Sequence, residues 1–386
     1  MKRMIELYDE RPIENVLATE MFRPEETVLV CPPEKASDDV WKRSLIRYFE
    51  HRGCPTRLRF VETSLLDTVR IKKTIQRLIR EEPDCAIDIS GGTDAALFAS
   101  GAAAGSRTPV FTYSRKRNTF YDIQNAPFAR SRPCTVRLDI RSCFLMAGGE
   151  LLPGREDNAA LSDRLGDLDA IFSAYSSFRS IWPKQVQYFQ RVSRADDADL
   201  SAEGPRTVKV DHGSATVSED LLRFLAERGL ISDLSLSHDS MSLRFADAMV
   251  RFWLRDVGAA LELYVYRTCL EAGCFDDVVL SAVVNWRGGD RPGDTVTNEI
   301  DVMAVRGVQP FFISCKTCEI KTEALNELAI LRDRFGGEGS RAMIVTSSIA
   351  SRSRSPMRRR AAELGIEVVD WNDIADGKLP SLLKRF

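Results

Sequence analysis

Asn298-Glu-Ile-Asp-Val-Met-Ala-Val305, answered after a short turn by Phe312-Ile-Ser-Cys-Lys-Thr317, is the stretch on which the reading of this chain turns. Such alternation is the period of a half-buried strand, and Arg306-Gly307 suits a tight turn. A hairpin of strands Asn298–Val305 and Pro310–Lys316 is predicted. Strict alternation puts Glu299 and Asp301 on one face, with Ile300 and Val302 on the other. In the partner strand Ser314 and Lys316 share a face while Ile313 and Cys315 point to the core. The turn can then bring Asp301, Ser314 and Lys316 together. Glu262, set among Leu261, Leu263 and Tyr264 on an upstream helix, can project toward the same sheet. Carboxylates that hold a hard divalent cation, beside a lysine, suit phosphodiester hydrolysis. The same spacing also fits a solvated hairpin face with ordinary charges.

Around the hairpin the last third reads as α/β. A helix over Asp247–Ala272, a strand over Val278–Trp286 and a polar loop over Arg287–Asp294 precede it. A helix over Thr322–Phe335, strand Ala342–Thr346, helix Pro356–Leu364 and strand Ile366–Asp370 follow. The first third also alternates strands with helices: Ile5–Tyr8, Thr27–Cys31, Thr56–Val61 and Cys85–Ile89 are strands, and Asp39–His51, Leu65–Arg80 and Ala95–Ala104 helices. Pro109–Tyr113 and Thr119–Ile123 form a hairpin. This order implies a largely parallel, helix-covered sheet. The middle changes character: helices near Leu161–Ser176 and Pro183–Arg191, then strand Thr207–Val210, helix Glu219–Arg228 and hairpin Leu234–Leu243, in the manner of a winged helix. Three domains are expected, over 1–150, 151–246 and 247–386, in keeping with a length of 386 residues.

A net charge of −2 supplies no global basic field, so any nucleic-acid contact must use local patches. The run Arg352–Arg360 is the most basic segment, either a solvated helix start or a phosphate-tracking rim. Nine scattered cysteines suit free thiols in a reducing cytoplasm, and Cys315-x-x-Cys318 lacks the second pair of a zinc site. His51, His212 and His238 lie far apart, which favours packing or surface roles, and Trp286 and Trp371 read as packing residues. No apolar run is long enough for a signal peptide or a membrane span, so a cytoplasmic chain without membrane contact is expected.

Asp88-Ile-Ser-Gly-Gly-Thr-Asp94 lies between a predicted strand and helix. Gly91 and Gly92 let a ligand approach the backbone, the helix N-terminus offers N–H donors, and Thr93 adds a hydroxyl. Ser90 completes the turn. A plain tight connection with Thr93 or Asp94 as helix cap fits the same residues. No Gly-Lys-Ser/Thr follows, so this is not a Walker loop.

The hairpin residues resemble the PD-(D/E)xK nuclease superfamily. More closely, Asn-Glu-Ile-Asp with Ile-Ser-Cys-Lys-Thr, and downstream Leu325-x-Glu-Leu, Phe335-Gly-Gly and Ile366-Glu-Val-Val-Asp, resemble the nuclease half of CRISPR-associated Rossmann-fold (CARF) effectors. The resemblance implies a restriction-endonuclease-like α/β domain in which Glu262 and Asp301 hold Mn²⁺ or Mg²⁺ and Lys316 is the catalytic lysine. The superfamily places a carboxylate two residues before that lysine, where this chain has Ser314, a weak ligand. Glu299 supplies the missing carboxylate, or a water bridges, or catalysis is impaired. The Ser90–Thr93 turn is similar to the one with which CARF domains grip cyclic oligoadenylate, here expected to be cyclic tetra-adenylate. The family's second ligand-facing segment follows the first strand, which brings in Asp9, Glu10, Arg11 and Asn15. Arg115, Lys116 and Arg117 can meet phosphates or form a solvated turn, and Asp94 stands where the family often has lysine or an amide. The resemblance further implies a homodimer with the ring across its two-fold axis. The implied function is a cyclic-oligoadenylate-activated, metal-dependent endonuclease cutting single-stranded RNA or DNA in type III CRISPR antiviral defence. The alternative is a ligand-responsive nucleic-acid-binding regulator whose nuclease fold is inactive.

Overall fold

Strong apolar strands separated by amphipathic helices build the first sheet. The computed structural model describes all residues except 155–157, 195, 197, 212, 288–295, 338, 350–355 and 386. His212, most of the polar loop after Trp286 and the first half of the basic run therefore lie outside the described residues. The first sheet has seven strands, and Arg3–Leu7 sits in the middle between Glu26–Cys31 and Cys85–Asp88, parallel to both. Arg57–Glu62 extends it on one side and Val110–Ser114 on the other, again in parallel. The antiparallel strand Thr119–Gln124 closes the expected hairpin. A strand buried on both faces needs continuous hydrophobicity, and Arg3–Leu7 and Glu26–Cys31 are buried along their whole length. One face carries the helices Thr68–Glu81 and Asp94–Ala104, whose Ile71, Ile75, Leu78, Ala96 and Ala99 pack on Ile5, Val28 and Ile87.

The second sheet has six strands. Thr297–Arg306 and Gln309–Lys316 form its central antiparallel pair. Arg341–Thr346 and Ile366–Val369 continue in parallel from the lysine strand, and Asp277–Asn285 lies on the other side. Its far edge is the two-residue strand Glu150–Leu151, which the sequence did not announce, contributed just after the first sheet's own elements end. Helix Ala259–Ala272 covers one face and Thr322–Phe335 the other.

Between them, Trp182–Val192 and Glu219–Glu227 pack with a three-stranded antiparallel sheet, Ile231–Leu236, Ser240–Phe245 and Ser201–Pro205, and a separate hairpin Thr207–Val210/Gly213–Thr216. The helix expected over Asp247–Ala272 is two helices, Ala248–Trp253 and Ala259–Ala272. Asp256 explains the break: its Oδ1 accepts the N–H of Gly258 at 2.7 Å and of Ala259 at 3.3 Å, which starts a fresh helix. The apolar spacing runs on through the break and hides it.

The remaining face of the first sheet does not meet solvent. Met4, Leu29, Trp41, Tyr48, Phe111 and Phe144 pack in one continuous core with Ala282, Ile300, Met303, Phe312, Leu328 and Phe335 of the second.

Candidate active site and ligand-binding loops

The two central strands of the second sheet pair from Arg306/Gln309 only as far as Val302/Ile313. Beyond that point no rung joins them, and Asp301 stands at the fork. Its Oδ2 accepts the backbone N–H of Cys315 at 2.6 Å, the hydroxyl of Ser314 at 3.1 Å and the ammonium of Lys316 at 3.4 Å. The expected convergence of Asp301, Ser314 and Lys316 is present.

The expected alternation holds in the lysine strand, where Ile313 and Cys315 share one core and Ser314 and Lys316 line the cavity, but it fails in the Asp301 strand. Ile300 packs in the core facing the Thr322–Phe335 helix, whereas Val302 packs in the core facing Ala259–Ala272. The pattern slips at Asp301. Its cause lies across the strand pair: Leu280 pairs Val302 and Ala282 pairs Ile300, while Ser281 between them adopts φ +53°. That left-handed residue re-aims the strand, as bulges do beside functional sites. Asp301 thus enters the fork instead of sharing a plain face with Glu299.

Glu262 comes from the other side, on the first turn of Ala259–Ala272. Burial first, then Asp301, Asp256 and Glu299, push its carboxyl up to about 8, with Lys316 opposing. The four groups are therefore electrostatic neighbours. Burial works against the charge on Lys316, but the Asp301 carboxylate outweighs it and holds the ammonium above its ordinary value. Glu299 is exposed, and it lines a cavity of about 110 Å³ together with Asp301, Ser314, Lys316 and Glu327. Sequence reasoning assigned no role to Glu327 or Asp256. Glu327 was visible as the polar position of Leu325-x-Glu-Leu, and its Oε1 accepts the amide of Asn298 at 2.9 Å.

Among the described residues no three His, Cys, Asp or Glu side chains stand close enough to grip a metal ion unaided. The donor chemistry nevertheless fits a hard cation: Glu262 and Asp301 are oxygen donors whose mutual repulsion a cation relieves. Mg²⁺ is ordinarily held by one or two carboxylates with water completing its shell.

In the first domain, the loops after Arg3–Leu7 and Cys85–Asp88 meet. Asp9 joins them. Its Oδ2 accepts the N–H of Gly92 at 2.7 Å, and Arg11 forks onto both oxygens at 2.8 and 2.9 Å. Burial opposes ionisation of Asp9, yet Arg11 and the backbone N–H groups win and hold its carboxyl below the usual range. Asn15 clasps the loop by accepting the Asp9 N–H and donating to the Asp9 carbonyl, at 2.9 and 2.8 Å.

Some of the donors expected in the turn are already taken. The Gly92 N–H is taken by Asp9, and the Ser90 N–H by Asp88 at 2.9 Å. The Thr93 hydroxyl caps Ala96 at 3.2 Å and donates to the Leu65 carbonyl at 2.5 Å. Gly91 has an internal reason to be glycine: a Cβ there would lie 2.8 Å from Glu14 Cβ and 2.9 Å from Asp9 Cβ. Glu10 is exposed and lines a cavity of about 440 Å³ with Tyr8, Asp9, Trp41, Trp286 and Arg334. Arg115 donates to Glu14 Oε1 at 2.8 Å, so it belongs to the loop network, while Arg117 turns outward to Tyr121. Beneath the turn lie three buried carboxyls, Glu6, Glu14 and Asp88, each raised chiefly by burial, Asp88 to about 7.

Residues 248–384 match the family described as Card1-like, endonuclease domain. No curated protein sequence matches the chain. Over 99% of its length the fold matches that of protein VC1899 from Vibrio cholerae (97% of that chain, 19% identity, TM-score 0.76). It matches Can2 from Sulfobacillus thermosulfidooxidans, solved in complex with cyclic tetra-adenylate, over 99% of this chain and 97% of that one (14% identity, TM-score 0.70). A type III CRISPR defence DNA nuclease activated by cyclic oligoadenylate matches over 98% of this chain and 51% of its own (14% identity, TM-score 0.53). The expected mixed α/β architecture, with a largely parallel first sheet, a small middle unit of helices and antiparallel strands, and a mixed second sheet, is the fold observed, and VC1899 and Can2 share it.

Proposed function

We propose that this chain is a cyclic-oligoadenylate-activated endonuclease that cuts single-stranded RNA or DNA with the help of Mn²⁺ or Mg²⁺, in type III CRISPR antiviral defence. The observation that carries it is the fork where Asp301, Lys316 and Ser314 converge, within the residues that match the Card1-like endonuclease family. Glu262 and Asp301, with Glu299 at the rim, would hold the cation. A bound cation lowers the pKa of its water and neutralises charge on the phosphate. Lys316, kept protonated by Asp301, presents a positive charge to the attacked phosphodiester and stabilises the extra charge of its transition state. Asp301, fixed by the Cys315 N–H, holds its carboxylate in one direction.

The activator reading rests on the loops of Asp9–Asn15 and Ser90–Thr93, and on the fold shared with Can2, which was solved with cyclic tetra-adenylate. Arg11 and the Gly92 N–H are the donors a ring phosphate would use, once Asp9 yields them. Exposed Leu66 and Phe98 lie close to the turn, at 79% and 75% exposure, which supports a second copy of the chain across a two-fold axis. No helix among the described residues is long and apolar enough to cross a membrane, in keeping with a cytoplasmic protein.

Ser314 favours one rival reading, a ligand-responsive regulator with an inactive nuclease fold. One assay separates the two. Purified protein is given Mn²⁺, labelled single-stranded RNA and DNA, and cyclic tri-, tetra- and hexa-adenylate in turn. We expect ligand-stimulated cleavage that Lys316→Ala abolishes. Ligand binding without any cleavage would establish the regulator instead.

A further inference from the structure

We infer that the glycines after the Thr322–Phe335 helix are the relay between the sensor loops and the nuclease fork; this rests on the function proposed above. The helix touches both places. Near its start, Ala324, Glu327, Leu328 and Leu331 line the fork cavity, and Glu327 holds Asn298, the neighbour of Glu299. In its last turn, Arg334 lines the cavity that also contains Asp9 and Glu10.

Beyond the helix, Gly337 and Gly339 lie against the sensor loops themselves. Gly337, at φ +62°, has its Cβ direction aimed at Pro12, where a methyl would stand 3.3 Å from Pro12 Cδ and 3.9 Å from Arg11 Cα. Gly339, at φ +92°, would put one 3.0 Å from Arg115 Cδ. Only glycine adopts these conformations cheaply, and only glycine leaves room for the neighbours. Arg115 is bonded to Glu14, and Glu14 abuts Gly91 of the turn. On the nuclease side, the same stretch is tied down. Gln309, at the hairpin turn, donates to the Gly339 carbonyl, and a Cβ on Gly336 would collide with Phe312 at 2.8 Å. One path therefore runs from Gly91 through Glu14, Arg115 and Gly339 to Gln309, and another from Pro12 through Gly337, whose N–H donates to the Arg332 carbonyl at 3.1 Å, into the helix and on to Glu327.

Two atoms on this path are buried without a partner, Glu14 Oε2 and Arg115 Nη1. Buried polar groups are ordinarily paired, so this contact is the place on the path with bonding capacity to spare. A shift of Arg115 would use it, and a ligand that engages the Asp9–Glu14 loop would drive that shift. A rigid helix carries such a shift along its length.

Two experiments test the relay. Gly339→Ala and Gln309→Ala are compared with the unaltered chain for melting temperature, cyclic tetra-adenylate binding by calorimetry, and cleavage with and without ligand. We expect folded proteins that bind ligand and keep their basal cleavage, with stimulation reduced at least about tenfold. Undiminished stimulation in both would overturn the relay. The second experiment needs no ligand: hydrogen exchange of the amides of 322–328 in Arg115→Met. Exchange faster by about threefold or more is expected, since loosening the far contact loosens the helix. Unchanged exchange there would also overturn it. If no cyclic oligoadenylate stimulates the unaltered chain, the activator reading fails, and the exchange result still decides whether the two sites are mechanically joined.

Discussion

Lys316 and Asp301 meet where two strands part, and that meeting gives each residue a separable role. Lys316→Ala removes the one ammonium bonded to Asp301. We expect metal-dependent cleavage to fall by at least about 100-fold, the scale of losing a positioned electrostatic group. Thermal stability and ligand binding should hardly change. Cleavage at the original rate would remove the active-site assignment. Ser314 sits 3.1 Å from Asp301, so Ser314→Glu would place a carboxylate at the fork. It should raise activity at limiting Mn²⁺, and Glu299→Ala should lower it by about tenfold, if Glu299 stands in for the missing carboxylate. A metal-bound structure with Glu299 turned away from the ion would defeat that compensation.

Among the elements, the hairpin was legible because two short apolar runs flank the Arg306-Gly307 turn, and Thr322–Phe335 because Leu325, Leu328, Ala329 and Leu331 recur at helical spacing. The slip at Asp301 was not legible, because its cause is Ser281 on a neighbouring strand and a single sequence does not show which residues pair. Nor was the lock of Asp9 on Gly92, since it joins loops 83 residues apart. Two expectations follow at this scale. Asp256→Ala removes the acceptor that starts the Ala259–Ala272 helix and should cost about 1 kcal/mol, read as a lower denaturant midpoint. Gly91→Ala should cost about 1–3 kcal/mol through collision with the Asp9–Glu14 loop, even without ligand. Ligand affinity alone therefore cannot assign Gly91 a binding role. A variant with full stability would show that the loop yields easily.

For the whole molecule, the buried carboxyls under the turn set a pH dependence. Asp88, raised to about 7, and Glu6 and Glu14, also raised, bind protons more tightly folded than unfolded. Their contribution is fully present below the ordinary carboxylate range and is lost as pH rises through the folded values. The ligand-free protein should accordingly melt at lower temperature at pH 8 than at pH 5.5, each group adding up to about 1.4 kcal/mol per pH unit within its window. Asp88→Asn should flatten that slope near neutrality. An unchanged slope would place the titrating group elsewhere.

The apolar core shared by the two sheets has one more consequence. Trp41 and Phe144 from one side and Phe312 and Phe335 from the other fill a single space. The two domains were therefore shaped against each other and do not behave as exchangeable cassettes. Grafting either one onto a foreign partner domain leaves two mismatched greasy surfaces unless the interior is redrawn as well. Recombination that shuffles domains should accordingly break this chain elsewhere than between these two sheets.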